Sequence, residues 1–335
     1  MMNVAATTAG TQTPASSYGG PILAIAATLA LTVATGLIDL RLATDMLIYL
    51  TLAQLWNLLA GYAGLVSVGQ QAFVGLGGYG LYFAAAVLGV PTLPAILLGG
   101  IASLVASAVA SVFIFRLKGA YFAIGTWVIA EICRLSVAVT PQLGGGSGAS
   151  LPASVVRAIG VSRDVREFAF LTMALFMAIV TILAVTLLLR SRFGIALVAI
   201  RDSERAAEAL GVDAMRIKRT VYIAVAFMTG VLGALIFLMK LRFTPDAAFS
   251  VLDWTAYVLF IVVIGGSGRL EGPFVGTIVF FALRAAFSSF GPIYLVVLGM
   301  AAIAVMLFAP SGLWGLVVRW TGFEPLRYRR NSSIN

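Results

Sequence analysis

Glu131 and Arg134 stand three residues apart inside an apolar run. A lone charge at the centre of a membrane-spanning helix costs on the order of 3 kcal/mol by insertion scales. Their spacing puts both on one helical face, so the pair either meets a polar solute in a water-filled path or locks helices together. Gln54 and Asn57 repeat that spacing in an earlier apolar segment, and Gln70 and Gln71 open the segment that follows it. Amides in such places solvate a dipolar solute or bind helices to one another. The missing residue types narrow the chemistry further. The chain contains no histidine, so it lacks the commonest proton shuttle, the commonest metal ligand and the usual base for a serine or cysteine nucleophile. Its single cysteine, Cys133, lies within an apolar segment and supports neither a disulfide framework nor a thiolate metal site. No catalytic, cofactor-binding or metal-ligating set is expected. The run from Gly75 to Gly80 matches GxGxxG, but a dinucleotide fingerprint needs a strand before it and a soluble helix after it. These glycines are expected instead to let membrane helices approach closely.

The elements that must position these residues follow from composition. Of 335 residues, 61% are hydrophobic and 10% charged, with a mean hydropathy of +1.04. Soluble domains carry about a quarter charged residues, so the chain is expected to be integral to a membrane. Residues 46–115 contain no Asp, Glu, Lys or Arg. The apolar stretches are continuous, unlike the alternating strands of a barrel, which predicts helices. The expected fold is all-α, a polytopic bundle of about ten membrane helices over roughly 21–38, 44–62, 68–89, 92–115, 120–140, 168–190, 220–240, 250–266, 273–289 and 293–310, with Gly and Pro between them. Residues 1–20 are expected to be a disordered tail, 21–318 the membrane domain, 141–166 an outer loop and 319–335 a basic cytoplasmic tail. With the N-terminus inside, fourteen Arg and Lys fall on the cytoplasmic side and seven on the outer side, as the positive-inside rule requires. That distribution also accounts for the net charge of +9 without nucleic acid. The tail arginines Arg327, Arg329 and Arg330 are expected to anchor near anionic lipid.

One segment breaks the pattern. Residues 190–219 hold seven Arg or Lys and four Asp or Glu between two apolar runs. Within them, 202–211 reads as a short helix. Asp202 or Ser203 can cap it, Glu204 suits the positive end of its dipole, and Gly211 is placed for the left-handed residue that closes it. Ala206, Ala207 and Leu210 are expected to form one small apolar face, suited to a groove in another protein or simply part of a solvated connector. The turn 265–273, with Arg269 and Glu271, is expected on the same side, as a tight hairpin or a backing for that loop. The outer loop 141–166 is read as a plain linker or a docking surface for a delivery protein. No GxxxxGK[ST] sequence occurs, so any ATP-driven work must come from another polypeptide.

The segment SRFGIALVAIRDSERAAEALGVDAMRIK at 191–218 resembles the cytoplasmic loop of ABC-transporter permeases for branched-chain amino acids, of the LivM type. The resemblance continues through LWNLLAGYAGLVSVGQQAFVGLGGYG at 55–80, RLKGAYFAIGTWVIAEICR at 116–134, VVIGGSGRLEGPFVGTIV at 262–279 and LFAPSGLWGLV at 307–317. Five motifs in the family's order are a specific signal. Two departures stand out: Gln70-Gln71-Ala72 replaces the family's frequent His-Ala-Ala, and the proline that ends the loop motif in many other ABC permeases is missing.

The resemblance implies a type II-like importer permease in the bacterial inner membrane. Its partners would be a second homologous permease, two ATP-binding cassette subunits, a periplasmic solute-binding protein and membrane lipid. In such permeases the loop helix lodges on an ATP-binding subunit, so Asp202, Glu204, Ala206, Ala207, Leu210 and Gly211 would carry coupling. Gln54, Asn57, Gln70, Gln71, Glu131 and Arg134 are candidates for the substrate pathway. Leucine, isoleucine or valine is the implied solute, although related permeases carry urea, amides and aromatic acids. The competing class is an ion-coupled secondary transporter of a small polar solute. A membrane-embedded enzyme has too little chemistry to work with.

Overall fold

The structure, a computed structural model, describes residues 19–321 apart from 38, 288, 289 and 292. Residues 1–18 of the expected tail, and Arg327, Arg329 and Arg330, lie outside the described residues. All ten apolar segments are helical. Helices α1 (Gly19–Gly36), α2 (Leu40–Asn57), α3 (Gln70–Tyr82), α4 (Thr92–Ile114) and α5 (Ala120–Ala138) form the first half. A short outer helix α6 (Ala153–Arg157) precedes the long α7 (Arg163–Arg190). The charged segment folds as α8 (Arg192–Asp202) and α9 (Glu204–Ala209), leading into α10 (Ala214–Lys240). After a one-turn α11 (Pro245–Ala248) come α12 (Tyr257–Gly265), α13 (Gly272–Phe287), α14 (Ile293–Phe308) and α15 (Gly312–Thr321).

The chain is thus an all-α membrane bundle, but ten crossings are not established. Among the described residues six helices are long and apolar enough to cross, or seven if the bent pair α14–α15 forms one span. Two of the others, α1 and α13, fall short because their apolar helical stretches, Ala24–Thr35 and Gly272–Phe287, are shorter than a bilayer demands. Helix α3 is rich in glycine and opens on two glutamines, and it lies inside the bundle, where it needs no apolar coat.

Caps explain where several helices begin earlier than the apolar pattern suggests. The Asp39 side chain accepts from the Arg41 amide at 2.9 Å, and Asp213 does the same for Arg216 at 2.9 Å. Each satisfies an orphan donor of the first turn. Helix α10 therefore starts at Ala214 rather than 220, and α2 at Leu40 rather than 44.

Helices α3, α4 and α10 pack most closely, and glycine permits it. A Cβ on Gly77 would lie 2.0 Å from the Gly230 carbonyl oxygen, and one on Gly233 would lie 2.3 Å from that of Val74. The GxGxxG match is therefore helix packing of the small-residue kind. Buried hydroxyls such as Thr51, Thr186 and Thr277 donate to the carbonyl four residues back, which satisfies these groups within their own helices. Between α2 and α3 the backbone of 63–69 is largely non-helical, yet it is lodged against α5. There the Val68 amide donates to Thr126 Oγ1 at 3.0 Å, and Ser67 accepts from Trp56 Nε1 at 2.8 Å. Irregular backbone at membrane depth survives only with such partners.

At the end opposite the charged segment, a two-residue strand β1 (Ala149–Ser150) pairs antiparallel with β2 (Arg242–Phe243). This fastens the 141–166 loop to the end of α10, a tie that its glycine-rich sequence does not disclose.

Candidate functional site

The charged segment is a built element. Ser191 caps α8, whose Gly194, Leu197 and Ile200 are buried on one face; this helix was not foreseen, although its spacing of three shows in the sequence. Of the two candidate caps for the next helix, Ser203 takes the role, accepting from the Ala206 amide at 3.4 Å. Asp202 ends α8 and pairs with Arg201 at 2.8 Å. At the far end Gly211 has φ +84°, its amide donates to the Glu208 carbonyl, and the Val212 amide donates to that of Ala207. Those two bonds, with Val212 packed beside Ala207, make a Schellman closure.

The expected apolar face of α9 is divided. Ala207 is 2% exposed and packs with Ile200 and Ala214, whereas Leu210 is 85% exposed and Ala206 is also exposed. Ala207 therefore holds α9 against α8 and the start of α10, and Ala206 and Leu210 are the surface on offer. Glu204 reaches Lys218 on α10 at 2.9 Å.

Arg201 links this element to the bundle. Its Nη1 donates to the carbonyl oxygen of Gly61 at 2.8 Å, in the π-helical turn Leu58–Tyr62 that ends α2. Gly61 in turn abuts Gly268, where a Cβ on Gly61 would lie 2.3 Å from the Gly268 nitrogen. Asn57 completes the junction. Its Oδ1 accepts from the Gly268 amide at 2.8 Å and its Nδ2 donates to the Arg269 carbonyl at 2.9 Å, while Gln54 Nε2 donates to Leu270 O at 2.8 Å. Gln54 and Asn57 thus bind the α12–α13 turn, as the hairpin and helix-binding readings allow. Replacing Asn57 by leucine strands a part-buried N–H and a part-buried C=O. Each costs roughly 1–3 kcal/mol, so the purified variant should melt at a clearly lower temperature, and an unchanged melting temperature would refute this role.

Gln70 and Gln71 are likewise interior. Gln70 Nε2 donates to Leu52 O at 3.2 Å, and Gln71 Oε1 accepts from the Thr255 hydroxyl. The Gln70 Oε1 atom is buried without a protein partner.

Glu131 and Arg134 face outward from the bundle. Arg134 Nε lies 3.0 Å from each Glu131 carboxylate oxygen, and its Nη1 donates to Asp246 Oδ1 of α11 at 2.6 Å. The sequence offered no signal for Asp246, 112 residues away. The result is one cation between two carboxylates, with 44% of the Glu131 side chain exposed. Helix α5, which carries the pair, is buried over only 22% of its apolar stretch, against 89% for α2. Its outer face also shows Tyr121, Trp127 and Ile132. Lipid tails cannot solvate an exposed carboxylate, so that face calls for water or another protein. Among the described residues, no three His, Cys, Asp or Glu come together as a metal site would need.

A multi-pass helical bundle with a capped charged element between two of its long helices is the build of a membrane transport permease. The chain belongs to the family described as branched-chain amino acid transport system / permease component, whose model matches residues 38–310. It is similar to the high-affinity branched-chain amino acid transport system permease protein LivM of Salmonella typhimurium, 27% identical over 315 residues, covering 87% of this chain and 73% of that protein. The LivM protein of Escherichia coli is 26% identical with the same coverage. A probable LivM of Methanocaldococcus jannaschii is 26% identical over 234 residues, covering 64% and 66%. No solved structure matches the chain.

Proposed function

We propose that the chain is the membrane-spanning subunit of an ATP-binding-cassette importer that moves branched-chain or related amino acids across a bacterial inner membrane. Two ATP-binding cassette subunits dock from the cytoplasm, one of them on the α8–α9 element of this chain. A second, homologous permease lies beside the chain, and a periplasmic binding protein delivers solute to the 141–166 side. The observation that carries this reading is α9 itself. It is capped at both ends, rests on a buried Ala207, and presents Ala206 and Leu210 to solvent. Arg201 of the adjoining α8 ties it to Gly61 at the end of α2, and Gly61 abuts Gly268 of the α12–α13 turn. A push on α9 therefore reaches the core as displacement of rigid parts. The thermodynamic requirement is that the ATP-closed partner binds one permease conformation better than the other.

The outward face of α5, with Glu131, Arg134 and Asp246, is the side of the chain that lines the solute path against the second permease. Its charge and its sparse burial support that assignment. Gln54, Asn57, Gln70 and Gln71 take the structural part described above.

The test is a cysteine in place of Leu210, in membranes that hold the complete transporter. A short bifunctional crosslinker should join it to an ATP-binding subunit in high yield, whereas Leu93→Cys at the other end should give none. Crosslinking of neither residue, together with leucine uptake by the purified chain alone, would turn the reading to an ion-coupled transporter.

A further inference from the structure

Four of the seven cations expected on the outer side converge on one recess, although the positive-inside rule disfavours cations there. The recess has a volume of about 290 Å³ and lies between the starts of α2 and α7 and the end of α10. That is the lower end of the range for ligand pockets and suits a small solute. Its apolar walls are Leu40, Val156, Phe170, Met239 and Leu241.

Most of its charges already have partners. Glu167 accepts from Arg41 at 2.8 Å and from Arg163 at 2.9 Å. Arg166 Nη1 donates to the carbonyls of Gly160 at 3.2 Å and Val161 at 3.0 Å. Two charges are left, one of each sign. Asp45 and Lys240 both line the recess and both are exposed. Arg284 and Asp253 carry further charge nearby. Even so, neither Asp45 nor Lys240 forms an ion pair among the described residues. The Lys240 ammonium instead stands 4.6 Å from the centre of the Trp254 ring, a cation–π contact. An acid and a base that line one apolar-walled recess without an ion pair between them offer complementary ends to a small zwitterion.

We propose that this recess is a reception site for a zwitterionic amino acid with an aliphatic side chain, Asp45 taking the ammonium group and Lys240 the carboxylate. The inference rests on the substrate class proposed above, and its test separates the two. The purified full chain in nanodiscs is titrated with leucine, with isoamylamine, which lacks the carboxylate, and with 4-methylpentanoate, which lacks the ammonium. Leucine should bind at least tenfold more tightly than either analogue. In Asp45→Asn the preference for leucine over 4-methylpentanoate should vanish. In Lys240→Gln the preference over isoamylamine should vanish, and neither variant should change the melting temperature. Equal binding of all three compounds overturns the proposal. So does an absence of leucine binding, including the case where phosphatidylglycerol alone protects the chain, which would mark the recess as an anionic-lipid site. Uptake of radiolabelled leucine by the complete transporter is measured in parallel. Uptake without binding to the isolated chain rejects the recess alone, and no uptake of any branched-chain amino acid rejects the substrate class.

Discussion

Gly211→Val should lower ATP-driven uptake by the complete transporter at least tenfold while leaving the amount of membrane-inserted chain unchanged. Gly211 holds φ +84° with no atom near the place a Cβ would take, so the penalty is purely conformational. A left-handed residue with a side chain costs roughly 1–2 kcal/mol, and a β-branched one does worse in that region. The six-residue α9 has little with which to offset this. It loses the closure bonds Gly211 to Glu208 and Val212 to Ala207, and with them the fixed placement of Leu210. Because α9 lies outside the packed bundle, the spans should fold as before. Gly211→Asn is the control, since asparagine tolerates the left-handed region, and it should retain most of the uptake. Equal activity of the valine variant and the parent would mean that α9 needs no rigid closure, and the coupling assignment would fail.

Gly77→Val should act at the opposite extreme and prevent assembly of the bundle. A Cβ at Gly77 would stand 2.0 Å from the Gly230 oxygen and 2.7 Å from its carbonyl carbon. Both are helix backbone, which cannot rotate away as a side chain can. Overpacking of well-packed cores costs typically 1–3 kcal/mol and occasionally more, and this clash belongs at the upper end. Helices α3, α4 and α10 would have to separate, exposing backbone that the Gly77, Gly99 and Gly230 contacts now cover. The measurement is the yield of monodisperse protein after detergent extraction, which should fall to near zero. Gly299→Ala, on α14 with open space around it, should be extracted like the parent or slightly better, as alanine favours a helix. Normal yield of Gly77→Val would mean that the three-helix contact is looser than described.

Much of the architecture was legible because it is local. Continuous apolar runs broken by Gly and Pro marked ten helices, and Ser203 and Gly211 announced both ends of α9 by the chemistry of capping. The family was legible too, from five motifs in order, and the family match over 38–310 agrees. What was not legible shares a cause. Ala206, Ala207 and Leu210 fall within one helical turn, but which of them turns inward depends on α8 and on Ala214, elements that surround α9 only after folding. Crossings counted by apolar runs overshoot what length and composition support, because a helix buried by its neighbours, such as α3, obeys no lipid criterion.

Gln54 and Asn57 show the division most plainly. Their amides and their spacing are properties of the chain order, and so is the expectation that they act as a polar pair. That they grip the carbonyls and an amide more than two hundred residues away is a property of the folded bundle. The same holds for Arg201 on Gly61, for Asp246 beside Arg134, and for Asp45 and Lys240 lining one recess. Residue order alone determined that this is a helical membrane permease with a charged element between two spans, since hydropathy, helix period and end caps act over a few residues at a time. Only the tertiary structure decided which polar groups tie helices together and which stay exposed. A buried hydrogen bond is made between whichever groups packing brings within about 3 Å, and no short-range pattern encodes that meeting.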